Sequence, residues 1–128
     1  DCYMVVGGIP DRRSTHCQQI ADFALEALEQ FNDYAKDFGE PLQIRIGMHT
    51  GTVVAGVVGT KKFSFDLWGD VVNIASRLES AGVPNRIHVS DAVHVRLMDD
   101  FAFEERGDVE IRGKGSIHTW FLLDRNDD

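Results

Sequence analysis

The sequence predicts an α+β or α/β sandwich, a sheet with helices packed on one side. Two observations carry this. Short β-prone segments with period-two alternation are interleaved with segments whose apolar residues recur at helical spacing. The 128 residues hold no repeat, linker or low-complexity stretch, and that length suffices for one domain with a real core.

The elements follow in order. Tyr3-Met4-Val5-Val6 is apolar and β-prone, so the chain opens at the lip of a strand, which Gly7-Gly8-Ile9-Pro10-Asp11 ends as a loop. Ile20, Phe23, Ala24, Ala27, Leu28 and Phe31 mark a helix, capped by Ser14 or Thr15 and closed by Gly39 and Pro41. Ile44, Ile46 and Met48 alternate with polar residues or glycine as a strand. Thr50-Gly51 is a turn signal and Thr52 to Val58 a second strand, which together read as a hairpin. A helix is expected from about Gly69 to Ser80, ended by Gly82-Val83-Pro84-Asn85. Ile87-His88-Val89 is a short strand, and Ser90 caps a short helix through Leu97. Residues 101–106 and 109–112 read as two strands, Gly113-Lys114-Gly115 as a turn, and Thr119 to Leu123 as the last strand. The tail 124–128 is expected to be solvated.

The net charge of −8, spread along the chain, argues against nonspecific nucleic-acid binding, which needs a basic footprint. Cys2 and Cys17 form no CxxC pair and no disulfide framework, so free thiols in a reducing cytoplasm are expected. No stretch reaches the roughly 20 apolar residues that span a bilayer. Membrane attachment is expected only through segments of a parent protein outside this sequence. The five histidines, His16, His49, His88, His94 and His118, show no metal-ligand spacing and receive no catalytic role. Trp68 and Trp120 read as packing residues rather than base-stacking platforms.

The helix after Gly69 is unusual in one respect. Val71, Ile74, Ala75 and Leu78 make a core face, while Asn73 and Arg77 lie one turn apart on another. Both can reach a single ligand. The plain alternative is that Arg77 pairs with Glu79 or another surface acid, and that Asp66 or Asp70 caps the helix.

The string "FDLWGDVVNIASRLES" resembles the signature of class III nucleotide cyclases, the adenylyl and guanylyl cyclase catalytic domain. Four more segments match in order: "DCYMVVGG", "IRIGMHTGTVVAGVVG", "RIHVS" and "IRGKGSIHTWFL". The likeness runs from residue 1 to about residue 123 and is strongest to bacterial adenylyl cyclases that work as homodimers. It implies an α+β, ferredoxin-like βαβ-type sandwich. It also implies one catalytic domain over residues 1–128, as the C-terminal two-thirds of a longer domain. In the family another metal-binding Asp and an adenine-recognising Lys precede the position matching Asp1. The 128-residue chain alone is therefore expected to be inactive.

The implied reaction converts ATP to 3',5'-cyclic AMP and pyrophosphate at a homodimer interface, with two Mg²⁺ or Mn²⁺ ions per site. By resemblance, Asp1 is a metal carboxylate, with a chain-terminal turn Asp as its alternative. Asp66 is the base-recognising residue: a carboxylate accepts from the adenine amino group but offers guanine O6 no donor. Asn73 orients the ribose. Arg77 stabilises charge on the α-phosphate, a task suited to a permanently charged fork. Arg112 stands where many members have a Lys for the β- and γ-phosphates, and Lys114 assists or is a solvated turn lysine. Lys61 and Lys62 decorate a loop. The metal carboxylates come from one protomer and Asp66, Asn73, Arg77 and Arg112 from the other, so a homodimer forms two equivalent sites. The other readings are a cyclase-like nucleotide-binding or regulatory module without catalysis, and a guanylyl cyclase.

Overall fold

The structure is a computed structural model. It describes residues 16–39, 43–51, 54–58, 64–68, 70–111, 113 and 115–126. The expected first strand, the Ser14/Thr15 cap, Pro41, Gly59, Lys61 and Lys62 lie outside them.

Helix α1 (His16–Phe38) begins the described chain. Cys17, Ala21 and Ala24 are its buried positions, and Ile20, Leu25 and Leu28 pack beside them. These small residues let the helix approach its neighbours closely. Phe23, expected on the core face, is half exposed instead.

Strands β1 (Ile46–Met48), β4 (Ile87–Ser90), β5 (Phe101–Ile111) and β6 (Gly115–Arg125) form one sheet in the order β1-β4-β6-β5. β1 runs parallel to β4, and the other pairs are antiparallel. Strands β2 (Val54–Val58) and β3 (Ser64–Trp68) pair antiparallel as a separate two-stranded sheet. The expected hairpin between the segments around Ile46 and Val54 is therefore corrected. β1 takes a distant partner because Ile46 and Met48 lie opposite Ile87 and Val89, which share their burial. β2 takes the next strand in sequence.

The two strands expected over 101–106 and 109–112 are one. β5 is continuous through Gly107, with Arg106 as an extra residue between the pairs Glu105–Trp120 and Gly107–Thr119. β6 also runs on to Arg125, so paired backbone reaches two residues into the expected solvated tail. Arg125 is held there by Asp22 of α1, 2.5 Å between Nη2 and Oδ2.

Helices α2 (Asp70–Ser80) and α3 (Asp91–Leu97) complete the fold. α1 and α3 cover one sheet face, where Cys17, Ala21, Val93 and Leu97 meet Met48, Ile87, Val89 and Leu122. α2 covers the other face. A Cβ on Gly47 would overlap the Glu79 amide nitrogen and lie 2.5 Å from the Ala75 carbonyl oxygen, so strand and helix backbones touch. The α+β class holds, but the helices lie on both faces rather than one. Ser90 sits at the N-cap of α3 without a side-chain capping bond; its hydroxyl is hydrogen-bonded to His49 Nδ1 at 2.6 Å instead.

Candidate functional site

Of the expected site residues, Asp66, Asn73 and Arg77 lie on the segment from β3 into α2. Asp66 stands mid-strand in β3, opposite Gly56 of β2, four residues before α2 starts. No strand is expected there from the sequence.

On α2 the two faces separate as expected. Leu78 is fully buried, Val71, Ile74 and Ala75 are half-buried, and Asn73 and Arg77 are exposed. Arg77 does not pair with Glu79, which takes Arg45 at 3.2 Å. Its Nε donates to the Glu110 carbonyl oxygen at 3.2 Å, near the end of β5. Among the described residues no carboxylate pairs with it, so its guanidinium keeps donors for another anion. Glu110 lies two residues before Arg112. The structure thus brings Arg77 to the end of β5, whose last residue is Ile111. Asp1, Arg112 and Lys114 themselves lie outside the described residues.

The metal expectation meets a plain limit. Among the described residues no group of three or more His, Cys, Asp or Glu side chains could hold a metal ion. The expected metal carboxylate, Asp1, is outside those residues. The groove between α1 and β6, around Leu25, Leu28 and Leu123, contains none of the expected site residues.

Two histidines given no role have defined partners, His88 beneath α2 and His118 on the opposite sheet face. His88 is fully buried beneath α2, and its Nδ1 donates to the Leu78 carbonyl oxygen at 2.9 Å. Burial pushes its pKa down, the Leu78 bond opposes this, and the Arg106 charge adds to the lowering. His118 lies between Asp108 (2.9 Å) and Glu105 (2.5 Å), and these two acceptors raise its pKa. The extra residue Arg106 makes this possible. In regular alternation residues 105 and 108 face opposite ways; the bulge turns both carboxylates to the His118 face. The sequence signal was present in Gly107, a glycine inside a strand pattern, with φ 110°. His88 had a weaker one, a polar residue between two apolar strand positions.

Trp120 is a packing residue as expected. It stacks on His94 with ring centroids 3.7 Å apart, and its Nε1 donates to Asp91 Oδ1 at 2.9 Å.

Residues 1–124 match the family described as "Adenylate and Guanylate cyclase catalytic domain". The chain is 47% identical over 125 residues to an adenylate cyclase of Mycobacterium tuberculosis, covering 98% of this chain and 28% of that protein. It is 47% identical over 128 residues to guanylate cyclase soluble subunit beta-2 of Rattus norvegicus, covering 96% of this chain and 18% of that one. The guanylate cyclase domain of RhGC from Catenaria anguillulae, solved in complex with GTP, superposes with a TM-score of 0.86 at 33% identity. That match covers 94% of this chain and 66% of the other. The chain spans less than a third of the length of these two curated relatives. The family match and the shared fold together make this chain a member of the class III adenylate and guanylate cyclase catalytic-domain family.

Proposed function

We propose that the protein carrying this chain is an adenylyl cyclase that closes ATP to 3',5'-cyclic AMP, releasing pyrophosphate. The observation that carries the reading is the exposed Asn73–Arg77 line on α2, free of core duty and of any described carboxylate. The ribose 3'-oxygen attacks the α-phosphorus, the bond to the bridging oxygen of pyrophosphate breaks, and the 3'-hydroxyl proton leaves. Arg77 binds the α-phosphate oxygens where negative charge grows, and Asn73 orients the ribose. Asp66 accepts from the adenine amino group, which favours ATP over GTP. Arg112 and Lys114 hold the β- and γ-phosphates. Asp1 would bind Mg²⁺ or Mn²⁺; a divalent pair supplies charge stabilisation at the attacking and leaving oxygens. A second copy of the domain completes each site, as a two-fold homodimer permits.

The test is turnover of ATP and of GTP by the intact protein with Mg²⁺ and with Mn²⁺, reading cyclic product and pyrophosphate. Cyclic AMP formation is expected, with kcat/KM higher for ATP. A preference for GTP would move the reading to a guanylyl cyclase. Absence of either cyclic product would leave a nucleotide-binding module. Arg77→Ala is expected to lower kcat by roughly 10²-fold or more, the loss seen when a transition-state donor is removed.

A further inference from the structure

The C-terminal turn of α2 is held by more than its own backbone. Its carbonyls 77 to 81 all have partners. Arg77 O accepts from the Ala81 amide at 2.8 Å and Glu79 O from the Gly82 amide at 3.1 Å. The other three accept from side chains of other elements: Leu78 O from His88 Nδ1 at 2.9 Å, Ser80 O from Arg45 Nη1 at 3.4 Å, and Ala81 O from Arg106 Nη1 at 2.6 Å. Such carbonyls are usually left to water or to a C-cap turn. Cationic donors here also face the negative end of the helix dipole.

His88 and Arg106 lie in contact and each holds a carbonyl of this turn. Because Leu78 O can only accept, His88 Nδ1 carries the proton and Nε2 is an acceptor. Arg106 Nη1 lies 3.3 Å from that Nε2 and 3.4 Å from Nδ1, so the guanidinium rests against the ring. Its guanidinium carbon also stands 5.5 Å from the centroid of the Phe121 ring. Arg106 can do this because it is the extra residue of β5, outside the ladder between Glu105 and Gly107. Thr119 Oγ1 donates to the Gly107 carbonyl oxygen at 2.7 Å and fixes the bulge. A bulge in β5 thus aims one side chain at the end of the helix that carries Asn73 and Arg77.

We propose that Arg106 and His88 are positioning residues: they fix the last turn of α2 from β5 and β4, and so hold Arg77 and Asn73 at the nucleotide. The catalytic consequence rests on the cyclase reading above; the anchoring of α2 does not. Neither residue touches the reacting atoms.

The variants are Arg106→Met, which keeps the stem and removes the donors, and Arg106→Lys, which keeps the charge on a single donor nitrogen. Both are made in the intact protein. Cyclase kinetics and hydrogen exchange of each helix are measured. Arg106→Met is expected to lower kcat about tenfold or more with KM within about threefold, since misplacing a group by 1 Å can cost ~10²-fold. Exchange should quicken at residues 77–82 and stay unchanged in α1 and α3. Arg106→Lys should recover part of both effects. Unchanged kcat and unchanged exchange in α2 would overturn the proposal. So would exchange rising equally in all three helices, which marks general destabilisation. If the unmodified protein cyclises neither ATP nor GTP, the cyclase reading falls, and exchange at 77–82 alone decides whether Arg106 anchors α2.

Discussion

The two faces of the four-stranded sheet are held in different ways. Under α1 and α3 the contacts are apolar: Met48, Ile87, Val89 and Leu122 against Cys17, Ala21, Val93 and Leu97. Under α2 the buried Leu78 and Phe121 are joined by a bare glycine, a buried histidine and an arginine at a bulge. Apolar burial supplies stability but little direction. Hydrogen bonds add less net stability and fix geometry. The face that only has to hold the domain together uses the first. The face beneath the helix with the proposed site residues adds the second to the first.

The largest expected effect breaks the apolar face. Leu97→Ala removes a fully buried side chain and should cost about 2–5 kcal/mol in urea unfolding, by lost transfer energy and the cavity left behind. Activity per folded molecule should be retained, because Leu97 is remote in role from α2. A cost near zero would mean that the core is not where stability resides.

Next comes Gly47→Ala, on the other face. The added methyl meets α2 backbone, which cannot swing aside as a side chain can. About 1–3 kcal/mol of overpacking cost is expected. Unlike Leu97→Ala, it should also lower kcat, since α2 must shift. A stability loss with full kcat would separate the close approach from helix placement.

A smaller effect comes from pH. His88 has its folded pKa below the ordinary value near 6.5. Between that folded pKa and about 6.5 the unfolded chain binds more protons than the folded one, so stability rises with pH there. The contribution is complete above the window and lost as pH falls through it. His49, whose pKa burial also lowers, acts with the same sign. Urea midpoints against pH should therefore fall on the acid side, less steeply in His88→Gln. An unchanged slope would mean that His88 binds protons equally in the folded and the unfolded chain, so that burial does not lower its pKa.

The smallest effect sharpens the contrast at the surface. Asp108 and Glu105 raise the His118 pKa. What His118 adds is present below about pH 6.5 and lost as pH rises through its folded value. Asp108→Asn should bring the His118 titration, followed by NMR, back toward the ordinary value. No change in that titration would show that Asp108 does not set it.

Much of this was legible before any coordinates. The Asn73–Arg77 line follows from helical spacing alone, and the structure leaves both exposed. The α1 helix was plain from its period, although Phe23 was assigned to the wrong side. β3 was missed because its Asp and the following glycine look like a turn, while strand pairing with β2 satisfies the backbone. The parallel pair of β1 and β4 was missed for a stronger reason. Its partners, Ile46 and Ile87, are far apart in the chain, and no local pattern records which strand a strand will choose.

The division has a physical cause. Periodicity, turn residues and the family motif are local properties of the chain, so the sequence alone determined most elements, the α+β class and the residues proposed to meet a nucleotide. Tertiary structure decided which sheet face each helix covers and which carbonyls of α2 are held. It also decided that a one-residue bulge would aim Arg106 at Ala81, 25 positions away in the chain. Those choices depend on partners that only meet once the sheet has closed its register.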